Sequence, residues 1–156
     1  MSMESAVVDH LAFVIRPATE HDRVRADALL RAAQLPLEGL DERFGEGFAV
    51  AEHSGVAIGV AGVEAYGDAG LLRSAVVDPD WRGRGVGEAL MHDRVRWAAA
   101  RGLRELWLLT TTAAGYFPRF GFELASREQA PEELRRSREF VDACPASAVA
   151  MRLPIK

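Results

Sequence analysis

Cysteine is almost missing from this 156-residue chain: Cys144 stands alone, so no intrachain disulfide can form. A lone thiol suits a reducing, cytoplasmic setting. Long apolar runs are missing as well, and none approaches the roughly 18 residues of a membrane span. The opening MSMESAVVDH has two acids and no basic segment, unlike a secretory leader. Excess positive charge is absent, because the formal net charge is −4. That disfavours a nucleic-acid partner, which reads a basic face. Metal-ligand spacing is also lacking among His10, His21, His53 and His92. The expectation is no membrane, no nucleic acid and no metal.

What is present fits one globular domain. Residues 1–11 are expected to be a disordered N-terminal segment, and 12–156 the single domain. Ala12 to Arg16 reads as a strand stopped by Pro17. Thr19 caps a predicted helix from Glu20 to Gln34, with Asp22 in its first turn. A shorter helix is expected over 35–44. Phe48 to Glu52 is a strand. In the next strand Val56, Ile58, Val60, Gly62, Glu64 and Tyr66 alternate onto one face. Gly67 to Gly70 turns the chain into Leu71 to Val77, a third antiparallel strand. A helix from Val86 to Arg101 is closed by Gly102. Leu103 to Thr110 is apolar enough to be buried on both faces. A short helix is expected over Ala113 to Phe120, distorted by Pro118. "GFEL" opens another strand, 131–141 is helical, and Ser147 to Leu153 is the last strand. The order implies an α/β fold with a mixed central sheet of six to seven strands flanked by helices.

The junction "DPDWRGRGVGEAL", Asp78 to Leu90, joins a buried strand to a helix. Glycines there expose backbone N–H groups, and the helix N-terminus adds partial positive charge. Together these suit a pyrophosphate, with Arg82 and Arg84 supplying further charge. Glycine content alone leaves a plain connector equally open. Neither the P-loop pattern nor the dinucleotide fingerprint matches.

"VVDPDWRGRGVGEAL" resembles the acyl-CoA signature of the GNAT acetyltransferase superfamily, R/Q-x-x-G-x-G/A, through Arg82, Gly85 and Gly87. A second resemblance, to N-x-x-A-x-x-x-Y-x-x-x-G-F, runs through Thr110, Ala113, Phe117, Gly121 and Phe122. "LLTTTAAGYFPRFGF" is similar to the acetyltransferase domain of N-acetylglutamate synthases. It is similar also to N-acetyltransferases of arsenic-resistance operons, which share an ending like "SREFVDACPASAVAM".

The resemblance implies acetyl-CoA as co-substrate. Its pyrophosphate would lie on Arg82, Gly83, Arg84, Gly85, Val86 and Gly87. Its pantetheine arm would pair with Ala75, Val76 and Val77. Thr110, Ala113 and Phe117 would complete the binding surface. A small amine carrying a carboxylate would attack the thioester directly, so Cys144 is not needed as nucleophile. A homodimer is implied as well.

Two departures bear on catalysis. Phe117 stands where the superfamily often has a tyrosine acid. Tyr116 is adjacent, turned by about 100° along a helix, and faces either the site or the core. Thr110 replaces Asn, and Thr111 or Thr112 could supply its hydrogen bond. An alkyl ammonium is only about 0.04% neutral at pH 7, a cost of about 4–5 kcal/mol that a base would recover. Glu64 is the candidate base, or else the ion-pair partner of Arg73. Arg73 and Ser74 interrupt an apolar strand. Arg73 either holds a substrate carboxylate or points to a wet edge. Arg135, Arg136 and Arg138 either close over an acidic acceptor or form a solvated face. Two rival functions remain: acetylation of a polyamine, aminoglycoside or protein N-terminus, and non-catalytic sensing of acyl-CoA.

Overall fold

The computed structural model describes residues 12–37, 40, 44–137, 140–141 and 147–155. The N-terminal segment 1–11, Arg138, Cys144 and much of the helix expected over 35–44 lie outside the described residues.

Seven strands form one sheet: β1 (Val14–Pro17), β2 (Phe48–His53), β3 (Val56–Tyr66), β4 (Ala69–Val77), β5 (Glu105–Thr110), β6 (Glu123–Ala125) and β7 (Val149–Pro154). Their spatial order is β1-β2-β3-β4-β5-β7-β6. Every neighbouring pair is antiparallel except β4 and β5. That parallel pair needs a crossover, which the helix between the strands provides. Three α-helices with ranges among the described residues are α1 (Arg23–Ala32), α2 (Val86–Ala100) and α3 (Glu132–Arg135).

Several boundaries depart from the sequence expectation, each for a local reason. The first helix begins as a 3-10 turn, Glu20–Asp22, and only then becomes α1. Asp22 does more there than favour a helix dipole. Its carboxylate accepts from Thr19 N at 2.7 Å and from both terminal nitrogens of Arg16. It therefore ties the helix entrance to β1, and the Arg16 hydrogen bond holds it below the ordinary aspartate range. α1 stops at Ala32 because Gln34 has φ 58°. The helix expected over Ala113 to Phe120 shrinks to a 3-10 turn, Phe117–Phe120, since Pro118 has no N–H to donate. Of the helix expected over 131–141, α3 is the first turn, and Val141 N donates to Ser137 O at 3.0 Å in a helical turn near the other end.

α2 covers one face of the sheet. Val86 and Leu90 meet Ala49, Ala51, Ile58 and Ala61, while Met91 and Ala98 meet Val63, Leu72, Leu106 and Leu108. α1 covers the other face with Ala26, Leu29 and Leu30 on Phe48, Val50, Val60 and Val76. Beyond it Leu71 and Trp107 pack with Ala130, Leu134 and Phe140. Each fully buried leucine contributes about 1.5–3 kcal/mol.

Two bulges reshape the middle of the sheet. The first corrects the expected alternation of β3. Ala51 pairs with Gly59 but Glu52 with Ala57, so Ile58 is an extra residue. Ile58 consequently faces α2, whereas Val60 faces α1. The second lies in β4, where Val60 pairs with Val76 but Gly62 with Arg73. Ser74, inside that bulge, has φ 58°. A non-glycine residue in this left-handed region costs about 1–2 kcal/mol, and bulges that redirect a strand gather near functional sites.

Candidate functional site

The β4–β5 ladder is short. Ala69, Gly70 and Leu71 pair with Glu105, Leu106 and Trp107, and there it ends. Both strands run on, β4 to Val77 and β5 to Thr110. They therefore part beyond Leu71, and the β4 bulge lies within the parted stretch. Ala75, Val76 and Val77 stand on the β4 arm of this fork, and Thr110 ends the β5 arm. An extended ligand can add itself as a strand to such an edge.

At the tip of the β4 arm the chain enters the glycine loop. Asp78 accepts from Asp80 N at 2.9 Å and caps a 3-10 turn, Pro79–Trp81. Gly83 has φ 77° and Gly85 has φ 83°, values that only glycine adopts without strain. A side chain at either would meet nothing within 4 Å, so the loop presents open backbone. Among the described residues, no backbone hydrogen bond uses the N–H of Gly83, Arg84, Gly85, Val86 or Gly87. Five such amides leading into the first turn of a fifteen-residue helix are suited to an anion. Arg82 and Arg84 are exposed beside it. The Arg84 guanidinium lies 4.9 Å from the Trp81 ring centre.

The turn after β5 closes the fork from the other side. Thr110 Oγ1 accepts from Ala113 N at 2.9 Å, so Thr110 itself shapes this turn. Ala113 packs against the core beside α2. Phe117 is buried in that core, edge-on to Phe122. Its neighbour Tyr116 takes the other direction. The Tyr116 hydroxyl stands 2.9 Å from where a Cβ on Gly87 would sit. It thus faces the first turn of α2. Burial pushes the phenol above its ordinary value, and the nearby Arg119 guanidinium partly offsets this. Tyr116 is therefore a protonated donor at neutral pH.

On the α1 side of the sheet lies a buried polar group. The Arg73 side chain is 0% exposed and Glu64 3%, with Nη1 to Oε2 at 3.2 Å. Glu64 Oε1 accepts from the Tyr66 hydroxyl at 2.6 Å. Arg73 also donates to Ser74 Oγ at 3.0 Å and to Pro36 O at 3.1 Å. The guanidinium therefore grips the residue at the centre of the β4 bulge. Isolated charges would be intolerable here, and mutual pairing with hydrogen bonds makes them tolerable. Arg73 accordingly points into the protein and not to a wet edge.

Arg135 and Arg136 are exposed; Arg135 donates to Ala130 O, just ahead of α3, and Arg136 pairs with Glu132 within its own helix end. The sequence offered no clear sign of the fork, the bulge at Ser74 or the Tyr66–Glu64 bond. Their only trace was a polar Arg-Ser pair inside an apolar strand. Among the described residues, no three His, Cys, Asp or Glu side chains gather as a metal site. No described helix is long and apolar enough to cross a membrane.

Comparison with known proteins bears on the same features. Over 134 residues the chain is 29% identical to an amino-acid acetyltransferase of Neisseria meningitidis, covering 85% of this chain and 29% of that protein. Over 92 residues it is 39% identical to the amino-acid acetyltransferase of Pseudomonas fluorescens, covering 58% of this chain and 21% of that protein. The chain thus spans less than a third of either relative. The N-acetylglutamate synthase of Neisseria gonorrhoeae, solved with coenzyme A and N-acetyl-glutamate, superposes with a TM-score of 0.80 at 24% identity. That match covers 93% of this chain and 35% of the synthase. A Mycobacterium tuberculosis protein solved with CoA superposes at 0.78 with 25% identity, over 92% of this chain and 99% of that one. The model of the acetyltransferase (GNAT) domain matches residues 44–124, a span that holds the fork, the glycine loop and the Tyr116 turn. On that match, over half its length, the chain belongs to the GNAT acetyltransferase family.

Proposed function

We propose that the protein transfers an acetyl group from acetyl-CoA to the amine of a small amino-acid-like acceptor. The observation that carries this is the meeting, at one end of the sheet, of the five-amide loop and the parted strands. The loop suits a pyrophosphate and the edge of β4 suits an extended pantetheine arm. The acceptor class rests on the relatives, which are named as amino-acid acetyltransferases. The lone cysteine suits a cytoplasmic setting.

In this reading the pyrophosphate lies on the amides of Gly83 to Gly87, flanked by Arg82 and Arg84. A backbone N–H of the β4 arm, from Ala75 to Val77, polarises the thioester carbonyl. The acceptor nitrogen attacks that carbon and a C–N bond forms. The C–S bond then breaks, and the departing sulfur takes its proton from Tyr116. The nitrogen gives up one proton to water before it attacks and a second after the C–N bond forms, and water returns a proton to the Tyr116 phenolate. Arg73 and Ser74 shape the acceptor side of the fork, and Glu64 orients Arg73 instead of acting as base.

The test is release of the CoA thiol from acetyl-CoA, corrected for the reactivity of Cys144. The acceptors are glutamate, aspartate, amino-acid-like phosphinates and arsinates, spermidine, an aminoglycoside and a peptide. Turnover is expected with the amino-acid-like acceptors alone. Turnover confined to the polycations would refute the acceptor class. CoA binding without turnover on any acceptor would favour a sensor.

A further inference from the structure

Asp78 stands where β4 becomes the glycine loop, and an arginine from another element holds it. Arg25, on α1, donates from Nη2 to Asp78 Oδ2 at 2.7 Å. Its Nε donates to Ala57 O at 2.9 Å. Ala57 adjoins the β3 bulge, and the bulged residue Ile58 accepts from Asp78 N at 2.7 Å. One guanidinium therefore bridges α1, the β3 bulge and the entrance of the loop. The other oxygen of Asp78 caps the turn that leads to Gly83. Both oxygens of that carboxylate are thus engaged in setting the loop's departure angle.

α1 is a firm anchor for such a bridge. Ala26, Leu29 and Leu30 are buried against the sheet. The segment after α1 is tied down as well, since Pro36 O accepts from Arg73. Arg25 and Asp78 are only partly buried, with side chains 39% and 20% exposed. Water screens such a pair, so its contribution to overall stability is small. Its geometric effect is larger, because binding a pyrophosphate on backbone amides depends on where those amides point.

We infer that Arg25 is a positioning residue for the phosphate cradle, holding Asp78 so that the loop amides converge on one anion. This rests on the acyl-CoA reading of the loop. Arg25 touches no reacting atom, so its loss affects affinity for the nucleotide thioester and spares the chemical step.

The experiment compares wild type, Arg25→Ala, Asp78→Asn and the double variant. Titration calorimetry with CoA gives Kd, steady-state kinetics give kcat and both KM values, and thermal unfolding gives Tm. Arg25→Ala should raise the CoA Kd and the acetyl-CoA KM about five- to tenfold, the size of one solvent-screened hydrogen bond. Its kcat and acceptor KM should stay within about twofold of wild type. The double variant should bind no more weakly than the weaker single variant, because both substitutions break one contact. A CoA Kd unchanged by Arg25→Ala would overturn the inference. So would single effects that multiply in the double variant, or a parallel loss of kcat, both KM values and Tm. Failure of wild type to bind CoA would overturn the cradle reading itself.

Discussion

Gly87 offers a test in which stability and activity should move apart. It lies in the first turn of α2 at ordinary helical dihedrals. Alanine there gains about 0.8–1.0 kcal/mol of helix propensity. Its Cβ, however, would sit 2.9 Å from the Tyr116 hydroxyl, 3.6 Å from Val77 Cγ2 and 4.0 Å from Tyr116 Cζ. Only the hydroxyl contact is too close, so the phenol must swing away by a few tenths of an ångström. That is cheap for folding, because the oxygen is the far end of a side chain. In the proposed mechanism it is costly, because Tyr116 there gives its proton to the sulfur and the alignment of the two sets its use. Gly87→Ala should therefore leave Tm unchanged or raise it by up to about 4 °C, while kcat falls about tenfold or more. The decisive measurement is the same substitution in a Tyr116→Phe background. Phenylalanine lacks the offending oxygen, and the remaining contacts are ordinary van der Waals distances. Gly87→Ala should there have almost no further effect on kcat. Equal losses in both backgrounds, or a Tm drop of several degrees, would refute the link between Gly87 and the Tyr116 hydroxyl.

Three other outcomes follow from the geometry. Glu64→Gln removes the carboxylate that pairs with the buried Arg73, which should cost up to about 3–5 kcal/mol; thermal unfolding should show it, and a well-folded variant that loses kcat alone would instead make Glu64 the base. Gly85→Ala meets no atom but forces alanine to φ 83°, so it should destabilise by about 1–2 kcal/mol and weaken CoA binding, both measurable by unfolding and calorimetry. Asp22 is held below its ordinary value of 3.8 by Arg16, so its contribution is complete above that pH and disappears as the pH falls through the lower folded value. Denaturant unfolding across this acid window should show a slope in wild type that is reduced in Asp22→Asn, which is already less stable at neutral pH.

Much of this fold is written in local patterns. Gly102 ends α2 in the left-handed region, the apolar run of β5 makes a buried strand, and Gly83 and Gly85 take the positive φ of an open loop. These depend on residues within a turn or two of one another, where backbone sterics and periodicity decide. Local pattern was a poorer guide wherever the outcome depended on partners far along the chain. Ile58 and Val60 share a parity in sequence yet face opposite ways, because the register with β2 takes up an extra residue. The direction of Tyr116 depended on which aromatic neighbour the core would accept: Phe117 went inward, and the phenol kept its polar end toward α2. The pairing of Glu64 with Arg73 joins residues 9 apart across a hairpin, and Arg25 meets Asp78 across 53. Short-range conformational preference, readable from the residues alone, set most of the elements and the open glycine loop. Tertiary structure alone decided the fork, the bulge at Ser74 and the charged contacts around them, because a buried charge or an unpaired strand edge is tolerated only where distant residues satisfy it.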